Sequence, residues 1–271
     1  MAKGIYVGAG GVARRMKKAY VGVAGKARTV RKMYVGVGNR ARLCYSAEPE
    51  YAGTGVPLAA PKYGAKAAAA GNSALIGGGR FAGTASNAVC NTVDAYDTSL
   101  TRTAGTPLST KRFFPAGATV GGHALFAGGT PKDGSLVVDA YDASLTLTAA
   151  ANLSSARNSY AAAAVGGYAL FAGDTADADV YDASLTKTTV GILSAARQPD
   201  AVTAGGYAFF AGGDESSTVD VCDASLTRTT LTALSEARNS MAAAAVGDYV
   251  LFAGGRNAAS LYHDTVDVYT I

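Results

Sequence analysis

Tryptophan is missing from the chain altogether, histidine occurs only as His123 and His263, and cysteine only as Cys44, Cys90 and Cys222. An odd number of cysteines at unrelated spacings excludes a disulfide framework and a zinc site, and reads as free thiols from a reducing compartment. No apolar run approaches the roughly 18 residues that a membrane span needs, and the N-terminus is basic without the continuous apolar stretch of a signal peptide. The expectation is a protein made in a cytoplasm, with no membrane insertion. Acidic residues are also absent from one region: residues 1–46 hold eleven Lys and Arg and no Asp or Glu, whereas the other 225 residues carry 13 basic and 20 acidic residues, a formal charge of −7. Two electrostatically different bodies share one chain.

What the chain does have is repetition, at two periods. Residues 5–18, 19–32 and 33–46 align as fourteen-residue units, with Tyr6-Val7-Gly8, Tyr20-Val21-Gly22 and Tyr34-Val35-Gly36 in register and Ala13-Arg14, Ala27-Arg28 and Ala41-Arg42 after them. Between these blocks lie Gly10-Gly11, Ala24-Gly25 and Gly38-Asn39. Such pairs between β-prone runs signal tight hairpins, because the turn needs positive φ. This predicts a small β-meander of about four strands over residues 1–46, too thin to bury much surface alone. It therefore acts as an assembly segment, pairing with further copies or a partner, with Tyr6, Arg14, Tyr20, Arg28, Tyr34 and Arg42 as the assembly residues. A basic nucleic-acid arm is the competing reading. The strict period argues against it, since such arms are irregular.

The longer period, about forty residues, fills 47–271. The common pattern is an alanine-rich first strand after an Arg or Lys, a second strand ending in Gly-Gly, a Val-Asp-x-Tyr-Asp third strand and a Thr-rich fourth. Five first strands occur but only four fourth strands follow them. Val56 to Lys62 matches the stretch Ala233 to Arg238 when Leu58 is set on Leu234 and Lys62 on Arg238, so residues about 50–58 read as the missing outer strand. Four-stranded units repeated radially make a β-propeller, and closure removes exposed edges. The predicted fold is all-β: a five-bladed ring over 47–271, closed by an N-terminal outer strand. Alanine on the innermost strands suits a crowded axis and argues against a wide ligand-holding channel.

The Gly-Gly after the second strand, the Val-Asp-x-Tyr third strand and the basic residue before the first resemble kelch repeats. The usual tryptophan of the fourth strand is lacking and the units are short. Together with the Tyr-Val-Gly segment and the endings of the type Tyr-Asp-x-Ser-Leu-Thr-Arg-Thr, the chain resembles structural proteins of tailed bacteriophages and prophages. That resemblance implies a virion or tail-associated component rather than any particular activity.

Paired acids recur as Asp94 with Asp97, Asp139 with Asp142, Asp179 with Asp182 and Asp220 with Asp223. A glycosidase needs two carboxylates in distinct surroundings. Repetition in four of the five units argues instead for structure, with the second Asp opening an Asp-x-Ser-Leu turn. Lys62, Arg112, Arg157, Arg197 and Arg238 precede the first strands, a placement that suits bonding from blade to blade. His123 stands where Tyr168, Tyr207 and Tyr249 stand in other units and reads as packing. What breaks the repeat carries the candidates for binding, because recognition concentrates on loops held by a rigid scaffold. These are Arg80, Asn87, Lys132, Asp133, Asn158, Asn239, Arg256, Asn257, Tyr262 and His263, in the unequal loops after the second strands and at the corners before the first.

The expected function is that of a non-enzymatic virion protein without cofactors or metal. It is made in the bacterial host cytoplasm, joined to other virion proteins and to further copies through residues 1–46, and displays the propeller to a host-surface glycan or protein. An intracellular kelch-type interaction module is the second reading and a glycan-processing enzyme the third.

Overall fold

The computed structural model describes residues 54–81, 88–129, 135–156 and 161–271 in full and, within 1–53, the backbone of six strands. The chain divides into two compact units, Met1–Thr54 and Gly55–Ile271. Every regular element among the described residues is a β-strand.

In the first unit, Tyr6–Ala9 pairs with Val12–Arg15, Ala19–Val23 with Lys26–Val30, and Lys32–Val37 with Arg40–Ser46, all antiparallel. The ladders close with Ala9↔Val12, Val23↔Lys26 and Val37↔Arg40, and the expected turn pairs between them lie outside the described residues. The strand count differs from the meander of about four: each fourteen-residue unit forms its own hairpin, giving six strands in three separate two-stranded sheets. The halves of each unit pair with each other, so Val7 opposes Arg14, Val21 opposes Arg28 and Val35 opposes Arg42.

Besides a two-stranded ribbon of Lys62–Tyr63 with Arg80–Phe81, the second unit holds five larger antiparallel sheets among the described residues, numbered I to V here in chain order. Sheet I comprises Lys66–Ala70, Ser73–Gly77, Val93–Tyr96 and Arg102–Gly105. Sheet II comprises Ala116–Val120, His123–Ala127, Val138–Tyr141 and Leu147–Ala149. Sheet III runs Ala161–Val165, Tyr168–Gly173, Thr175–Tyr181 and Lys187–Gly191. Sheet IV runs Asp200–Ala204, Tyr207–Ala211, Val219–Cys222 and Arg228–Thr230. Sheet V has three strands, Ala242–Val246, Tyr249–Ala253 and Val266–Thr270. Consecutive strands neighbour one another in each. Four-stranded antiparallel sheets repeated in this way are consistent with a propeller-like fold.

The first strands of sheets I to V lie side by side in order. They approach so closely that a methyl group on Gly117 would meet the Ala67 carbonyl oxygen at 2.5 Å. This crowding accounts for the alanines, and hydroxyls supply the cross-links: Ala69 N–H donates to Thr119 Oγ1 (2.9 Å) and Ala164 N–H to Thr203 Oγ1 (3.1 Å). Period-2 alternation then gives each sheet two apolar faces. The forward face of sheet II (Val120, Leu125, Val138, Ala140) packs on the backward face of sheet III (Ala169, Phe171, Tyr181), all at most 4% exposed. The same layering joins I to II, III to IV and IV to V. Full burial of one such side chain contributes about 1.5–3 kcal/mol.

The sequence reads the outer strand of the second repeat as Thr146 to Leu153; in the structure that strand of sheet II ends at Ala149. The chain leaves the ladder so that Leu108, Leu153, Leu193 and Leu234 drop into the layer between sheets, where each is at most 4% exposed. Residues 54–58, at the end of the expected fourth strand of sheet V, form no strand; residues 50–53 lie outside the described residues.

Candidate ligand-binding face

The repeated acids and bases are committed between sheets. Arg112, fully buried, sets Nη2 at 2.6 Å from Asp139 Oδ2 and donates through Nη1 to the carbonyls of Phe126 (3.1 Å) and Val137 (2.9 Å). Arg197 pairs with Asp220 at 2.8 Å and donates to the carbonyls of Gly212 and Phe210. Arg238 pairs with Asp267 and reaches the carbonyls of Gly254 and Thr265. Lys62 Nζ lies 2.9 Å from Asp94. These four acids, and Asp179 of sheet III, whose expected partner Arg157 lies outside the described residues, take a backbone N–H from the preceding linker, at Ala59, Ser109, Ser154, Ser194 and Ser235. Burial pushes the Asp220 carboxyl up, but hydrogen bonds from Thr230, Ser194 and Arg197 outweigh it and hold the group below the usual carboxylate range; Asp94 follows the same balance with Lys62, the Ala59 N–H and Arg102.

The second acids build turns, as the sequence suggested. Asp142 Oδ1 accepts the N–H groups of Ser144 (2.8 Å) and Thr146 (2.9 Å), and Asp97, Asp182 and Asp223 repeat the arrangement. Leu145, the residue that this turn forces to φ 63°, packs back on the layer between sheets I and II. Neither acid of the pair is therefore available as a lone carboxylate in a cleft. Cys222 replaces the third-strand tyrosine in sheet IV, is fully buried, and has its thiol pushed up to about 11 by burial and the nearby Asp223.

Residues that interrupt the repeat converge at one end of the first strands, around a cavity of about 510 Å³. Its wall includes the corners before the strands (Phe114, Gln198, Asn239, Ser240) and the loops after the second strands (Asp214, Arg256). Lys66 and Asp200 also line it. They occupy the first position of the first strand, where sheets II, III and V carry Ala116, Ala161 and Ala242. Asp200 Oδ2 accepts the Met241 N–H at 2.8 Å; burial pushes its carboxyl up to about 6, against that hydrogen bond and the opposing charge of Lys66. The alanine lining had argued against a ligand-sized space. These two substitutions and the corner residues surround one at the mouth.

Of the residues singled out in the sequence, Asn239, Arg256, Tyr262 and His263 do come together. Asn239 and Arg256 exchange backbone hydrogen bonds (2.9 and 3.0 Å). Arg256 also lines a second recess of about 350 Å³ with Ser240, Tyr262 and His263. Tyr262 is 86% exposed, and His263 Nδ1 lies 2.7 Å from Glu236. Asn257 does different work: its side-chain oxygen accepts the Leu261 N–H and closes a turn. Arg80 stacks on the Phe113 ring (4.4 Å), which leans on Phe114 (3.9 Å), so it braces the cavity rim from behind. Asn87, Lys132, Asp133 and Asn158 lie outside the described residues, and for the assembly residues Tyr6, Arg14, Tyr20, Arg28, Tyr34 and Arg42 only the backbone is described. The sequence reading missed Lys66, Phe114, Asp200 and Asp214. The signal was present, since a charge at a position held by alanine in three other units breaks the repeat as plainly as a long loop does.

No protein-family model matches the chain, and a search of curated proteins found no match.

Proposed function

We propose that the chain is a non-enzymatic structural component of a tailed-bacteriophage particle, anchored through its N-terminal hairpins and displaying a closed five-bladed kelch-like ring for adhesion to a host surface. The observation that carries this reading is the division of the chain into a hairpin unit whose first 46 residues have eleven basic and no acidic side chains, and a larger unit built of layered sheets. Periodic hairpins with few large side chains cannot sustain a core alone and suit joining to other chains. The layered sheets spend their recurrent acids on interfaces and turns and leave the irregular loops for recognition. Closure of the ring is part of the proposal. The linker Val56 to Lys62 meets sheet I as the other linkers meet their sheets: Tyr96 Oη donates to the Val56 carbonyl as Tyr141 does to Thr106 and Tyr181 to Ala151.

Mass spectrometry of purified particles tests the reading. The full chain is expected in them, and a variant lacking residues 1–46 is expected as a folded protein that no longer joins them. Unchanged incorporation of the truncated chain contradicts the anchoring role, and absence of the full chain from particles favours an intracellular interaction module instead.

A further inference from the structure

We infer that the cavity at the mouth of the first strands is a saccharide site taking a neutral, pyranose-based sugar; that the sugar comes from a host surface rests on the adhesion reading above. The scaffold does not require the residues that line it. Alanine serves at the Lys66 and Asp200 position in three sheets, and a carboxylate there bears a desolvation cost that alanine avoids. Among the described residues, Lys66 Nζ has no ion pair or hydrogen bond, the terminal guanidinium nitrogens of Arg256 have none, and Asp200 uses a single carboxylate oxygen, for the Met241 N–H. Donors and acceptors are thus both left over around one space. The volume, about 510 Å³, lies within the roughly 300–1,000 Å³ of small-molecule pockets.

Three features select the class of ligand. Lys66 and Arg256 are matched by Asp200 and Asp214, so the wall favours neither an anion nor a cation. Vicinal hydroxyls suit such a wall, because each can donate to a carboxylate and accept from an ammonium or guanidinium group. Phe114 adds a platform. It is 45% exposed and held at φ 52° beside Pro115, where the matching corners carry Gly64 in sheet I and Ser240 in sheet V. A bulky side chain in the left-handed region is strained, and an exposed ring at a polar rim suits the flat C–H face of a pyranose.

Saturation-transfer NMR on the full chain with glucose, galactose, N-acetylglucosamine and N-acetylneuraminic acid tests the site. Transfer from at least one neutral sugar is expected, with weakening by about tenfold or more in Asp200→Ala and in Phe114→Gly. Both variants introduce the residue found at the equivalent place in other sheets, so the thermal transition should be retained. Transfer from none of the three neutral sugars, binding that survives both substitutions, or preference for the acidic sugar overturns the inference. If the protein is present in particles but binds no neutral sugar, this site fails and the structural role stands. If binding is lost in both variants but particles lack the protein, the site stands and the virion reading fails.

Discussion

The interface between sheets II and III and the seam between sheets V and I are made from the same parts, yet they differ in the structure. Val120, Leu125, Val138 and Ala140 on the forward face of sheet II are at most 3% exposed. Their counterparts on sheet V include Val246, 63% exposed, Val266, 48%, and Val268, 54%. On the other side of the seam, Leu100 is 59% exposed, whereas Leu145, Leu185 and Leu226 pack on the preceding layer. A methyl group on Gly71, Gly121 or Gly166 would meet Ala143, Ala183 or Ala224 at 2.4–2.7 Å, while one on Gly247 meets open space. Both uncovered faces are halves of an interface that the molecule completes four times elsewhere. The lesson is that repetition points to the partner: the forward face of sheet V carries the residue types that meet a backward face elsewhere, and the proposed ring sets it against sheet I.

Breaking a sealed interface should have the largest effect. Arg197→Ala leaves Asp220, fully buried, and two carbonyls without their partner. Urea unfolding should show a loss of about 3–5 kcal/mol. Next comes the matched pair Leu170→Ala and Leu251→Ala. The first removes a fully buried side chain between sheets III and IV and should cost about 2–5 kcal/mol. The second is half-buried at the seam, and on the closed-ring account its cost approaches that of the first; a loss under about 1 kcal/mol would mean that the seam stays open.

Charge sharpens the contrast through pH. Asp94 and Asp220 are held low by their bonds, so their stabilisation is present above the usual carboxylate range and is lost as pH falls below it. Asp200 has the opposite sign. Raised by burial to about 6, it is protonated more readily folded than unfolded, so stability falls as pH rises from near 4 through 6. Asp200→Asn should remove that decline, seen as a flatter profile of Tm against pH between 4 and 7, with an upper bound of roughly 3 kcal/mol. The smallest effect tests the seam again. Leu100→Asn relieves a left-handed leucine (φ 61°), which an open seam would register as a gain of up to about 1 kcal/mol. A closed ring registers a loss of about 1–2 kcal/mol, because the side chain then packs.

Much of this fold was legible because repetition averages out local ambiguity. The strand order, the paired glycines, the Asp-x-Ser-Leu turn and the bonding of Arg112, Arg197 and Arg238 all follow from alignment of the units. The hairpin count did not, since local pairing within each fourteen-residue unit competes with a continuous meander and turn spacing alone does not decide between them. The cavity was missed for another reason. Alanine predominance described the axis correctly on average, but Lys66 and Asp200 stand at one level of the first strands, and the five-unit average hides two exceptions that share one mouth. Arg80 and Asn257 show the converse, as irregular positions whose side chains support the scaffold.

The most direct test of the ring is a cysteine pair across the seam, Thr98→Cys with Gly247→Cys in a Cys44→Ser background; Thr98 occupies the place of Ala143, which abuts Gly71 between sheets I and II. Ala143→Cys with Gly71→Cys provides the sealed comparison. Under oxidising conditions the account predicts that both pairs form a disulfide within a single chain, read as a monomer of increased mobility on non-reducing electrophoresis. A disulfide for the 71–143 pair with none for 98–247, or a 98–247 bond found only between chains, would contradict closure.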